Sequence, residues 1–167
     1  LVKAPGSLVI LGYAPVSDIT KKVTPDIKKP GASSLALIDL GQGKNRLGGS
    51  ALAQAFNQLG DKSPDVENPK LLKNAFLAVQ QMIGEGLILS LHDRSDGGLI
   101  TAVAEMCMAS RCGFNVSIPH AAEALAVLFG EEPGFVIELE TVNEKRIVEI
   151  CESFEVPIST IGITLDS

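Results

Sequence analysis

The apolar run Leu87-Ile88-Leu89 leads into His92-Asp93-Arg94-Ser95-Asp96-Gly97-Gly98, after which apolar residues recur at Leu99, Ala102, Val103 and Met106. The pattern changes from an unbroken apolar run to an i, i+3, i+4, i+7 spacing within a few residues. That change requires a strand, a tight polar turn and then a helix. Ser95 or Asp96 is the expected N-cap, because a short side-chain oxygen accepts an N–H that the first helical turn leaves unpaired. Glycines at this turn let another backbone or a ligand approach closely. The positive end of a helix favours an anion, and a carboxylate just ahead of it can share a divalent cation with a bound phosphate. These residues alone support two readings: a metal–phosphate site, or a well-capped helix with no ligand.

Upstream, Ser7 to Tyr13 is apolar and β-branched enough for a buried strand. Pro15, Pro25 and Pro30 then punctuate a polar crossing whose Lys21, Lys22, Lys28 and Lys29 read as solvated rather than as a basic binding site. Leu35 to Leu40 is a second strand, ended by Gly41-Gln42-Gly43. The stretch from Gly43 to Ser50 nearly spells a P-loop, but Gly49 stands where the phosphate-neutralising lysine belongs. The dinucleotide fingerprint fails too, since Arg46 replaces its third glycine. Two readings of this loop remain: backbone N–H groups holding a phosphate beside Arg46, or close packing of the following helix, with Leu52, Ala55, Phe56 and Leu59 on one face, against the sheet.

Asn68-Pro69 places favoured N-cap and N1 residues before a helix with a core stripe of Leu72, Phe76, Val79 and Ile83, stopped by Gly84 and Gly86. The helix starting near Gly97 is expected to end around Ser110 to Gly113, with strand Phe114 to Ile118 next and an alanine-rich helix over His120 to Phe129. Glu131-Glu132-Pro133-Gly134 reads as a turn whose acids face water, before strand Phe135 to Leu139. Thr141 and Glu144 suggest a capping box for a last helix with Ile147, Ile150, Cys151 and Phe154 inward. Val156 to Leu165 supplies a final strand. Five or six strands and five helices predict an α+β (α/β sandwich) domain: a mixed sheet with flanking helices.

A chain of 167 residues is one domain by size and can bury roughly 70% of its unfolded surface. A net charge of −6 argues against non-specific nucleic-acid binding, and no apolar run approaches the roughly 20 residues of a membrane span. Cys107, Cys112 and Cys151 lack Cys-x-x-Cys spacing, and His92 and His120 are the only histidines, which argues against zinc. Reduced thiols fit a cytoplasmic place, with Cys107 and Cys151 as small core residues. The chain opens on Leu1 without a signal peptide, and is expected to be a single domain, residues 1–167, excised from something longer.

The run His92 to Leu99 closely resembles a segment of the phosphoribosylformylglycinamidine synthases. Three more runs agree in the same order: Pro15 to Thr20 with Val23 to Asp26, Arg46 to Gln54, and Leu128 to Gly134. Together they cover most of the chain. The resemblance implies the C-terminal lobe of the second synthetase half, with the fold of the aminoimidazole ribonucleotide synthetase C-terminal domain. It implies Asp93 as a magnesium ligand and Ser95 as a contact to the phosphates of an adenine nucleotide, ATP or ADP. His92 and Arg94 become orienting or packing residues, and Asp96 no more than the N-cap. The partners implied are an N-terminal synthetase lobe, which shares the nucleotide, and a glutaminase domain. The glutaminase cysteine is not among Cys107, Cys112 and Cys151, since none sits at a strand–turn–helix elbow. The isolated residues are therefore predicted to be inactive. A purely structural or docking lobe, or the matching lobe of a related synthetase, is the alternative.

Overall fold

The strands are β1 (Ser34–Asp39), β2 (Ile88–Asp93), β3 (Gly113–Val116), β4 (Gly134–Leu139) and β5 (Ile158–Leu165), in a computed structural model that describes residues 9–118 and 123–166. They form one sheet in the order β2–β4–β1–β5–β3, and all four pairings are antiparallel. The expected α+β sandwich is present, but its sheet is antiparallel where a mixed one was expected. β1, β2 and β3 do run the same way, joined by the helical connections that alternating strands and helices suggest. The last two strands then insert between them in the opposite sense.

The helices are α1 (Ala51–Ala55), α2 (Pro69–Glu85), α3 (Gly98–Ser110), α4 (Ala124–Phe129) and α5 (Thr141–Ser153), with a 3-10 turn at Ile19–Lys21. α2 and α5 bury Leu71, Ala75, Met82, Ile147 and Ile150 against Ala36, Ile38, Ile137 and Leu139 on one sheet face. α3 buries Leu99, Val103 and Met106 against Leu35, Leu37, Val136 and Ile161 on the other. Central strand β1 is covered on both sides, which is why its apolar run is unbroken. Among the described residues no helix is long and apolar enough to cross a membrane.

The proline-rich crossing is tied to the sheet by a buried carboxylate. Glu138 accepts the backbone N–H groups of Lys28 and Lys29, each at 2.8 Å, and the Ser33 hydroxyl at 2.7 Å. The Lys28 and Lys29 side chains pair at the surface with Asp26 and Glu140, in keeping with the solvated reading.

Local signals hold where the local chain suffices. Asn68 caps α2 through Leu71 N at 3.1 Å, Pro69 opens it, and Gly86 at φ 68° ends it, whereas Gly84, expected to share in the stop, lies inside the helix. Ile147, Ile150 and Cys151 face inward from α5 as expected. Cys107 and Cys151 are free and buried, and burial pushes their thiols up to about 12 and about 11 respectively.

Four further expectations about the elements fail in whole or in part. Residues 9–13 form no strand: Val9 is 82% and Tyr13 91% exposed, because no sheet edge within these residues pairs with them; Ser7 and Leu8 lie outside the described residues. The core stripe of α2 holds only in its second half, where Val79 is buried and Ile83 packs against the core; Leu72 is 39% and Phe76 58% exposed, and the small Ala75 and Ala78 face the sheet in their place. α1 is one short turn that does not bury itself on the sheet, and Phe56 and Leu59 are exposed. The capping box of α5 is absent, since Glu140 occupies the cap position and Glu144 instead accepts the Thr160 hydroxyl at 2.5 Å. Of the alanine-rich helix, Ala124–Phe129 is helical, and His120 lies outside the described residues.

Candidate functional site

Strand β2 runs further than the sequence suggested and carries His92 and Asp93 within it. The Arg94 N–H continues the ladder, donating to the Gly134 carbonyl at 2.9 Å. Successive side chains on an extended segment point to opposite faces. Arg94 is therefore buried, with 2% of its side chain exposed, while Asp93 and Ser95 on either side of it face solvent. His92 turns toward α3, its Nε2 3.0 Å from Glu105 Oε2. Its Nδ1 lies 2.7 Å from the Asp93 carbonyl oxygen and 3.5 Å from Asp93 Oδ1.

The helix start differs from expectation. Neither Ser95 nor Asp96 caps α3; Gly97 holds the cap position at φ 83°, without a side-chain hydrogen bond, and Gly98 follows at φ 73°. Two consecutive left-handed residues turn the chain by backbone geometry, which glycine adopts without steric cost. Ser95 contributes its carbonyl, accepting the Gly98 N–H at 2.9 Å, which leaves its hydroxyl without an intrachain partner among the described residues.

The acids expected to face water are the structural centre of this end of the sheet. Glu131 Oε1 accepts the Gly97 N–H at 2.8 Å and the Ala51 N–H at 2.7 Å, so a protein carboxylate already meets the first amide of the turn. Glu132 is fully buried. Its carboxylate takes a fork from Arg46, Nε to Oε1 and Nη2 to Oε2 each at 2.7 Å, plus the Arg46 backbone N–H at 3.0 Å. Burial alone would raise the carboxyl of Glu132, but the hydrogen bonds and charge of Arg46, with Arg94 adding to them, hold it below the usual range. Arg94 donates from Nη2 to Asp39 Oδ1 at 2.5 Å and from Nε to the Glu132 carbonyl at 2.6 Å. Asp39 in turn accepts the N–H groups of Gly41 and Gly43, at 3.1 and 2.8 Å.

This network overturns both readings of the glycine loop. Arg46 is committed to Glu132 and Glu67, the Gly41 and Gly43 amides to Asp39, and the Gly48 and Gly49 amides to Lys62 and Leu59 carbonyls. Few donors are left for a phosphate. Gly48 serves the approach of the returning segment, whose Lys62 carbonyl and Gly60 lie against it, rather than helix–sheet packing. No signal in the sequence distinguished Glu132 from a solvated acid, since its partner is remote in the chain.

Asp93 and Ser95 thus stand together on the open side of β2's end. A cleft of about 520 Å³ lies on the α3 side, lined by Asp39, Arg94, Leu99 and Thr160, and includes neither. The Asp93 side chain is 67% exposed and its only described ionic neighbour is the His92 ring. A hard carboxylate oxygen open to solvent suits one position on a divalent cation, and the Ser95 hydroxyl suits an adjacent phosphate oxygen. Among the described residues no cluster of three or more His, Cys, Asp or Glu side chains that could hold a metal ion occurs.

Residues 34–167 match the family described as AIR synthase related protein, C-terminal domain. The chain is 44% identical over 169 residues to the probable phosphoribosylformylglycinamidine synthase, chloroplastic/mitochondrial, of Arabidopsis thaliana, spanning 100% of this chain and 12% of that one. It is 49% identical over 150 residues to the phosphoribosylformylglycinamidine synthase of Homo sapiens, spanning 89% of this chain and 11% of that one. Among solved structures, T. maritima PurL complexed with ATP superposes with a TM-score of 0.69 at 18% identity, over 89% of this chain and 24% of that one. At that identity the superposition speaks for the fold.

Proposed function

The chain belongs to the AIR synthase related protein C-terminal domain family, and on that footing we propose that it is one lobe of a phosphoribosylformylglycinamidine synthase. The parent reaction uses ATP to activate the amide oxygen of formylglycinamide ribonucleotide; ammonia released from glutamine then displaces phosphate to give the amidine. This lobe contributes to a site for magnesium and an adenine nucleotide. Asp93 supplies one oxygen ligand and Ser95 a hydrogen bond to a phosphate oxygen. Magnesium, when bound, offsets the charge of the polyphosphate. The rest of its roughly six oxygens come from water, phosphate and protein outside this chain.

The observation that carries this reading is the exposure of Asp93 and Ser95 beside an otherwise fully engaged network. In the full-length enzyme, Asp93→Ala is expected to weaken ADP binding in the presence of Mg²⁺ by at least about tenfold, the lower end of what losing even a supporting group costs a metal site. Calorimetric titration checks this, and unchanged affinity overturns the assignment.

A docking role for the same lobe rests on a separate observation. Val9, Ile10, Leu11 and Tyr13 expose large apolar surface, and the chain spans only 12% of the length of the Arabidopsis relative. The synthetase lobe and glutaminase domain of a longer polypeptide are the partners that fit. Free thiols suit a reducing compartment: cytoplasmic or, as for the Arabidopsis relative, chloroplastic or mitochondrial.

A further inference from the structure

We infer that Arg94 is the positioning residue for the Asp93–Ser95 pair, held in turn by Asp39. The inference rests on the magnesium–nucleotide reading of that pair and adds a residue that touches neither metal nor nucleotide. Arg94 lies between the two side chains in sequence and on the opposite face in space. Its guanidinium donates to Asp39 Oδ1 at 2.5 Å, the Glu132 carbonyl at 2.6 Å and the Pro133 carbonyl at 3.2 Å, and its own N–H to the Gly134 carbonyl at 2.9 Å. Four hydrogen bonds to two other segments thus hold a single residue. The backbone on either side has little freedom to rotate, so Asp93 and Ser95 are directed outward together.

A buried ion pair serving stability alone has no need of this arrangement, since apolar residues of similar volume often do as well. The acceptors also match a planar fork, which a lysine ammonium cannot reproduce. Asp39 completes the device. With Gly41 N–H on Oδ1 and Gly43 N–H on Oδ2, its carboxylate is oriented before it meets Arg94. Outer groups that orient a metal ligand typically contribute 10–100-fold to metal affinity.

The test uses the full-length enzyme with Arg94→Lys, and Asp39→Asn as a second variant should the first fold poorly. Asp93→Ala is the control. ADP binding is titrated with and without Mg²⁺, and backbone amide exchange over residues 93–97 is followed in the ligand-free protein. We expect apparent Mg²⁺ affinity at saturating ADP to fall roughly 10–100-fold, ADP binding without Mg²⁺ to fall by a smaller factor, through Ser95 alone, and exchange to accelerate. Excess Mg²⁺ should restore ADP binding. Equal losses with and without Mg²⁺, or no loss in either variant while Asp93→Ala shows one, overturn the positioning role alone. If Asp93→Ala also leaves Mg²⁺ dependence untouched, the magnesium–nucleotide reading falls and the positioning role with it.

Discussion

Glu132→Ala is expected to lower the unfolding free energy by about 3–5 kcal/mol, the cost of removing one partner from a buried ion pair. Glu132 has no exposed surface, and the Arg46 side chain that forks onto it is only 13% exposed. Without the carboxylate, Arg46 keeps Nη2 on the Asp65 carbonyl at 3.2 Å and Nη1 on Glu67, a half-exposed partner that contributes little. Its Nε–H and its backbone amide lose their acceptor inside the protein. Glu132→Gln keeps one acceptor oxygen and should fall between wild type and alanine. Urea unfolding of the three proteins measures the series, and an alanine variant within about 1 kcal/mol of wild type would contradict the buried-pair account.

The same carboxylate should tie stability to pH. Its folded-state value lies below the ordinary 4.5. The unfolded chain therefore binds its proton first as pH falls, and the contribution is present above the ordinary value. It is lost as pH drops through the lower folded value. The stability difference between wild type and Glu132→Gln should accordingly shrink on acidification below about pH 4.5, and not between pH 6 and 8.

Gly98→Ala carries the second large effect, expected at about 2–5 kcal/mol from two sources. A left-handed conformation costs an L-residue about 1–2 kcal/mol, and Gly98 sits at φ 73°. The added Cβ would also lie 2.7 Å from the Leu128 carbonyl oxygen and 2.8 Å from the Phe129 Cα. Both are backbone atoms at the end of α4 and cannot swing aside as a side chain could, so overpacking adds about 1–3 kcal/mol. Gly84→Ala is the internal control: it lies within α2 with open space around its Cβ position, where alanine should be neutral or stabilising by up to about 1 kcal/mol. Equal melting temperatures for the two variants would show that α3 does not depend on its glycine entry.

What was legible in advance follows the range of each force. The turn from β2 into α3, the Asn68 cap, the Gly86 stop and the inward face of α5 depend on residues within a turn or two of one another. The location of Asp93 and Ser95 at a strand end before a helix was legible for the same reason. The capping of that helix was not, because Asp and Ser are usual N-caps whereas here two glycines and the remote Glu131 do the work. Residues 9–13 show the limit of propensity: an apolar, β-branched run becomes a strand only when an edge is there to pair with it.

The sequence by itself determined the α+β class, most element positions and the local setting of the candidate site, since periodicity and turn chemistry act between near neighbours. Only the tertiary structure decided the antiparallel sheet, in which β4 and β5 insert between strands made earlier. It alone brought Glu132 to Arg46, 86 residues away, and Arg94 to Asp39, 55 residues away. The physical reason is that a carboxylate's pairing depends on what the topology places within about 3 Å of it, and no pattern of adjacent residues encodes that distance.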